Sequence, residues 1–161
     1  MDRNLRKISL RMFTYGLYVL TSKYKDDFCG STITWVTQTS FEPPMISVCI
    51  KRDSGTFHIV KNRKEFVLNI LGYKQKNLAA SFFKSTIVNN SLINNYEYFI
   101  ENDLPVLKAT PAFITCKVID IIEKGDHPLF LSKLTNAVVN NETKPLKLSD
   151  TEWNYGGWVK Q

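Results

Sequence analysis

Residues 30–56 read GSTITWVTQTSFEPPMISVCIKRDSGT. Two runs rich in Thr, Ile, Val and Trp flank the Pro43-Pro44 pair. Such residues suit a pleated, half-buried strand, and proline interrupts a ladder. From Met45 to Ile50 the residues alternate, with Ile46, Val48 and Ile50 on one face and Ser47 and Cys49 on the other. The turn Lys51-Arg52-Asp53-Ser54-Gly55-Thr56 then opens onto a helix-like segment, Thr56 to Asn62. A helix start carries unpaired N–H groups; with the hydroxyls of Ser54 and Thr56 and the charges of Lys51 and Arg52, this combination suits a phosphate. The same residues also suit a plain polar loop with Ser54 as helix cap, and spacing does not separate the two readings.

On the N-terminal side, Leu5, Ile8 and Met12 fall at helical spacing among Arg and Lys, which predicts a short amphipathic helix ended by Gly16. Leu17 to Ser22 reads as a strand, Lys25-Asp26-Asp27 as a turn, and Cys29 to Thr37 as the returning strand. On the C-terminal side the pattern predicts a strand over Glu65–Leu71, a helix over Gln75–Lys84 and a loop over Ser85–Asn95. Two long strands, Phe113–Ile122 and Leu129–Val139, are joined by the tight Glu123–Pro128 connection. Six or more strands with a few short helices predict a mainly β, antiparallel barrel or sandwich with α additions. Gly16, Gly30, Gly55, Gly72, Gly125, Gly156 and Gly157 form no GxGxxG or Walker pattern, so a Rossmann-type dinucleotide site is not expected.

The 161 residues amount to one domain, 1–161, and an apolar content of 43% with 22% charged residues is that of an ordinary globular protein. No apolar run reaches the roughly 18 residues of a membrane span. The start MDRNLRKISL lacks the apolar core of a signal peptide, which makes the cytoplasm the expected compartment. The net charge is +6, but Arg3, Arg6, Lys7, Arg11, Lys51, Arg52, Lys61, Arg63 and Lys64 are scattered among acidic residues. A solvated basic surface is therefore expected rather than a nucleic-acid site. Cys29, Cys49 and Cys116 form no CxxC pair, and two histidines, His58 and His127, make no cage, so no metal site is indicated. Cys49 and Cys116 lie in apolar runs and read as small core residues; Cys29 lies beside a turn, where it can be exposed.

Taken in order, Gly30, Thr32, Thr37, Ser40, Pro43-Pro44, Cys49 and Ser54-Gly55-Thr56 resemble the central segment of the flavin reductase-like family. Phe66-x-Leu68-Asn69-x-Leu71, Leu104-Pro105-Val106-Leu107, Cys116 and Gly125-Asp126-His127 continue the resemblance, which spans residues 8–158. The segment Trp35–Pro44 is similar to a narrower branch linked with rubredoxins and flavodiiron proteins. Thr34-Trp35 stands where relatives often carry Asn-Ser, and Gly55 where they often carry a larger side chain.

The resemblance implies an FMN-binding split β-barrel. The FMN phosphate would meet Ser54, Thr56 and nearby N–H groups, with Lys51 or Arg52 supplying charge. The backbone of the strand carrying Thr32, Thr34, Trp35, Val36 and Thr37 would face the pyrimidine edge of the flavin. His127 would lie beside the reactive face, Tyr155 and Trp158 near the flavin or a dimer partner, and His58 would be a surface or packing residue. NADH or NADPH would donate a hydride, free flavin or a redox protein would accept the electrons, and the protein would pair as a homodimer; FAD in place of FMN is left open. Two other readings stay in view: an electron-transfer flavoprotein fed by a protein donor, and a non-enzymatic binding module.

Overall fold

The computed structural model describes residues 1–155; Gly156, Gly157 and Trp158 of the aromatic–glycine tail lie outside the described residues. Helix α1 (Arg3–Arg11) is capped by Asp2, whose carboxylate accepts the N–H groups of Asn4 and Leu5 at 2.7 and 2.9 Å. It buries none of its residues, so its apolar stripe Leu5, Ile8 and Met12 faces outward.

The body is antiparallel sheet. Strand β1 (Tyr18–Tyr24) turns through Lys25, at φ 56°, into β2 (Asp27–Ile33). The strands β3 (Val36–Ser40), β4 (Met45–Cys49), β5 (Glu65–Ile70), β10 (Ala112–Ile122) and β11 (Leu129–Val139) complete a sheet ordered β2-β1-β5-β10-β11-β4-β3. Strands β2 and β3 thus lie at opposite edges of the sheet while being neighbours in sequence. Their link, Thr34-Trp35, keeps Ile33 and Val36 within about 10 Å. The sheet must therefore curl until its edges approach, and no ladder joins β2 to β3 among the described residues. The result is a barrel left split along one side.

This corrects the expectation of one strand from Cys29 to Thr37. The chain breaks at Thr34-Trp35, where the Val36 N–H turns back to Thr34 O at 3.1 Å and Trp35 O accepts from Cys49 N–H at 3.0 Å. One edge is exchanged for the other in two residues.

Alternation along the strands sorts two cores. Inside the barrel lie Leu20, Ile33, Ile46, Val48, Ile50, Phe66, Leu68, Cys116 and Phe130, plugged by Phe57 and Val60 of helix α2 (Gly55–Arg63). On the outer face Leu17, Val19 and Leu71 pack against Leu78, Ala79 and Phe82 of helix α3 (Lys76–Ser81) and its C-cap. A β-carbon at Gly30 would stand 2.7 Å from the Phe82 ring, so only glycine lets α3 approach this closely. Helix α3 is shorter than the predicted Gln75–Lys84.

A second sheet, β6 (Val88–Asn89), β7 (Leu92–Ile93), β8 (Tyr96–Glu101) and β9 (Leu104–Leu107), covers the outer face and was not anticipated as strands. Strands of two residues carry no periodicity. Their turns, Asn94-Asn95 (φ 47° and 70°) and Asn102-Asp103 (φ 51° and 62°), use left-handed Asn and Asp in place of the Asn-Gly pair that marks a hairpin. Asn69, fully buried, stitches the two sheets together. Its Nδ2 donates to Val19 O and to Thr21 Oγ1 at 2.9 Å each, and its Oδ1 accepts the Leu107 N–H at 3.0 Å.

Cys29 is buried, with its thiol pushed up to about 12 by desolvation, so the turn beside it does not expose it. Among the described residues no helix is long and apolar enough to cross a membrane.

Replacing Asn69 by Ala strands the Leu107 N–H in the interior. Urea unfolding of Asn69→Ala should show a loss of about 2–4 kcal/mol, the scale of a buried network broken on one side.

Candidate functional site

The split in the barrel opens into a cleft of about 540 Å³, within the size range of small-molecule sites. Three segments meet there: residues 31–35 where one edge becomes the other, residues 49–54 between β4 and α2, and the connection between β10 and β11 that carries His127. Phe82 and Phe83 at the end of α3 and the tail Trp153–Tyr155 complete the walls.

The edge exchange leaves polar groups over. Thr34 and Trp35 belong to no ladder, and their N–H groups find no protein acceptor among the described residues. Thr34 Oγ1 and Trp35 Nε1 are buried and without partners. Buried polar atoms without partners cost free energy unless a ligand or water serves them. The neighbouring Thr32 is anchored instead: its Oγ1 donates to Ala79 O at 2.7 Å and its N–H to Phe82 O at 3.2 Å, which ties this wall to α3.

At the other end, Ser54 caps α2. Its Oγ accepts the Phe57 N–H at 3.1 Å and donates to Lys51 O at 2.7 Å. The N–H groups of Gly55 and Thr56, the first of the helix, have no protein acceptor among the described residues. They and the helix dipole make this end attractive to an anion. Lys51 lines the cleft, its ammonium 3.0 Å from Asp53, and this contact holds the Asp53 carboxyl below the usual carboxylate range.

His127 closes the third side. Its Nδ1 lies 3.0 Å from Asp126 Oδ1 and its Nε2 2.6 Å from the Tyr155 hydroxyl. An ionised Asp126 can only accept, so Nδ1 carries a proton; in the tautomer that leaves Nε2 bare, the Tyr155 O–H donates to it. The hydrogen bond from His127 lowers the Asp126 pKa, which keeps that carboxylate ionised. Burial raises the Tyr155 pKa, with Asp126 and Asp53 adding to the effect, so the phenol stays protonated. The imidazole lies against Trp35, ring centroids 4.6 Å apart, and Tyr155 covers the same indole at 5.5 Å.

Thr32, Thr34, Trp35, Lys51, Ser54 and His127, named from sequence, all line this cleft. The other four face elsewhere. Val36 packs against the barrel core and Thr37 is exposed on β3. Thr56 is buried, its Oγ1 hydrogen-bonded to Ser31 Oγ at 2.5 Å, so this hydroxyl holds α2 to β2. Arg52 turns away to the β10–β11 connection. Ser31, Phe83, Leu148 and Trp153 are lining residues that sequence reading did not name; Cys49, read as core, is half-buried and lines the cleft as well. The alternation of β4, which puts Cys49 opposite Ile46, Val48 and Ile50, was the available signal. Among the described residues no His, Cys, Asp and Glu cluster is suited to a metal.

An aromatic and aliphatic cleft with unpaired donors along one edge and a cationic helix start at its end suits a flat heterocycle bearing an anionic tail. Comparison with known proteins points the same way. The family model described as flavin reductase like domain matches residues 10–157. The chain is 30% identical over 125 residues to the reductase component of 4-nitrophenol 4-monooxygenase/4-nitrocatechol 2-monooxygenase from Rhodococcus opacus, covering 78% of this chain and 66% of that protein. It is 30% identical over 132 residues to an NADH:FMN oxidoreductase of Rhodococcus qingshengii, covering 80% of this chain and 67% of that one. The chain thus spans about two-thirds of the length of these curated relatives. Among solved structures, the flavin reductase PheA2 in its native state superposes with a TM-score of 0.76 at 26% identity, over 91% of this chain and 92% of that one.

Loss of the cap should register in stability before any ligand is added. Ser54→Ala is expected to lower the unfolding free energy by about 1 kcal/mol in urea titration, and Ser54→Asp to recover most of it.

Proposed function

The chain belongs to the flavin reductase-like family, and from that premise we propose that it binds FMN in the split of the barrel and acts as an NAD(P)H-dependent flavin oxidoreductase. The observation that carries this reading is two sets of unserved donors beside one cleft: those of Thr34 and Trp35, which line it, and the N–H groups of the α2 start, next to Ser54, which also lines it. Bound there, FMN supplies two-electron chemistry between a nicotinamide hydride donor and an acceptor.

The residues divide the work. The N–H groups of Thr34 and Trp35 serve the polar edge of the ring system, and Leu17, Ile33 and Ile50 exclude water from its body. The N–H groups of Gly55 and Thr56, with Lys51, meet the phosphate, while Ser54 sets the direction of the helix start. His127, held by Asp126 and resting on Trp35, orients the nicotinamide against the ring. Residues 1–161 act as one domain in the cytoplasm. The protein pairs as a homodimer, for which exposed Phe99, Ile100, Ile119 and Ile122 supply apolar surface. Free flavin or a redox protein takes the electrons, and FAD stands beside FMN as an alternative cofactor.

Purified protein should be yellow or take up one equivalent of FMN, and NADH or NADPH should bleach its visible absorbance. Riboflavin should bind at least tenfold more weakly, since each charge-assisted hydrogen bond to the phosphate is worth roughly 1.5–3 kcal/mol. Equal affinities would remove the phosphate from the site, and absence of bleaching would leave an electron carrier fed by another protein.

His127→Ala should retain FMN but slow its reduction about tenfold in stopped-flow measurements, equivalent to about 1.4 kcal/mol of transition-state stabilisation. A variant that loses FMN instead would make His127 a binding residue.

A further inference from the structure

We infer that Arg52 is a positioning residue for His127: it holds the connection between β10 and β11 in the shape that sets the imidazole in the cleft, and it does not serve the phosphate. The inference rests on the flavin reading above for its catalytic consequence, though not for its geometry.

The connection, residues 123–128, has no hydrogen bond between its own backbone groups among the described residues. Six residues that reverse direction without an internal bond need their polar groups satisfied from outside. Those contacts come from residues 50–52. Arg52 Nη2 donates to Glu123 O at 3.0 Å and to Gly125 O at 3.2 Å, and Nε adds a second contact to Gly125 O at 3.3 Å. Arg52 Nη1 meets Glu123 Oε2 at 3.1 Å, and Lys61 approaches the other carboxylate oxygen at 2.7 Å. Along the main chain, the Arg52 N–H donates to Asp126 O at 2.9 Å and the Ile50 N–H to Pro128 O at 3.1 Å.

One guanidinium therefore grips two carbonyls and a carboxylate of the turn, just before His127. A planar fork does this in a single rotamer; an ammonium cannot reach all three. The three acceptors occupy the nitrogens Nε, Nη1 and Nη2, so the group is committed to the turn, with its carbon 5.9 Å from the centre of the Phe57 ring. The Coulomb part of the Arg52–Glu123 pair counts for little, because both side chains are partly exposed. What matters is the loss of freedom in a glycine-containing turn: without it, the imidazole samples positions away from Trp35, and alignment errors of about 1 Å are enough to slow a transfer between stacked rings.

The test compares Arg52→Gln and Arg52→Lys with the parent protein and with His127→Ala. In FMN-free protein the His127 ring protons, shifted by the Trp35 indole, should move toward unshifted values in Arg52→Gln, while those of His58, the other histidine, stay in place. In FMN-loaded protein the limiting rate of flavin reduction should fall about tenfold with the FMN-to-riboflavin affinity ratio unchanged, and Arg52→Lys should restore only part of the rate. Adding Arg52→Gln to His127→Ala should cost nothing further, as expected when one residue acts through the other. Unmoved His127 signals, an unchanged reduction rate, or an affinity ratio falling toward one would each overturn the assignment. If Arg52→Gln fails to fold, Arg52→Lys carries the same readouts. A parent protein that binds no flavin removes the functional reading, and the histidine signals still decide where Arg52 acts.

Discussion

Two residues, Thr34 and Trp35, tie together the opposite edges of one seven-stranded sheet, and the remaining architecture follows from that tether. A sheet of seven twisted strands left open would hold β2 and β3 far apart. With only about 10 Å allowed between Ile33 and Val36, the sheet has to coil, and its inner face becomes a closed core rather than one side of a sandwich. Helix α2 then has a place, because a coiled sheet this size leaves an end to plug, and Phe57 and Val60 fill it. The outer face still carries Leu17, Val19, Val67 and Leu71, which explains why α3 and the small β6–β9 sheet lie against it.

The same tether generates the cleft. Ladder groups at the exchanged edge cannot all pair, since the chain leaves one strand's hydrogen-bonding plane and enters another's within a single three-residue turn. In most of the molecule such groups are paired; Asn69 shows how thoroughly, using both ends of its amide across two sheets. Of the four unpartnered buried side-chain atoms among the described residues, two belong to Thr34 and Trp35, side by side in the lining of the cleft, and this bears on a ligand. Leaving such atoms unpaired costs free energy, and a ligand of the proposed kind that paired them would recover it.

Much of this was legible in the sequence. The alternation of Ile46, Val48 and Ile50, the Pro43-Pro44 break and the Ser54 cap are local signals, and each stands where the pattern put it. The break at Thr34-Trp35 was not legible: Thr, Ile, Trp and Val favour extended chain on both sides of it, and the reason for the break is the identity of the edges being joined, a non-local fact. Thr56 and Arg52 are of the same kind. A hydroxyl and a guanidinium beside a helix start suit an anion on composition alone, and only the fold reveals that Ser31 and the carbonyls of Glu123 and Gly125 lie closer. Strands β6 to β9 escaped because Asn-Asn and Asn-Asp do in their turns what Asn-Gly usually does.

The arrangement at Ser54 limits what can meet an anion. Its hydroxyl has one proton, given to Lys51 O, and a lone pair given to the Phe57 N–H. Only by releasing Lys51 O could the hydroxyl donate to a phosphate, leaving that carbonyl with the Ser54 N–H alone, at 3.1 Å. The N–H groups of Gly55 and Thr56 face no such competition, and they are fixed in place by the helix itself, so they donate without reorganising. Lys51 is the mobile component: its pair with Asp53 is exposed and worth little, so the ammonium can leave it for a doubly charged group at small cost. Gly55 fits this division. A side chain there would meet open space, so glycine is not required for packing; it keeps the approach to the first two N–H groups of the helix bare. The proposed phosphate would thus be met by backbone, with side chains confined to aiming it.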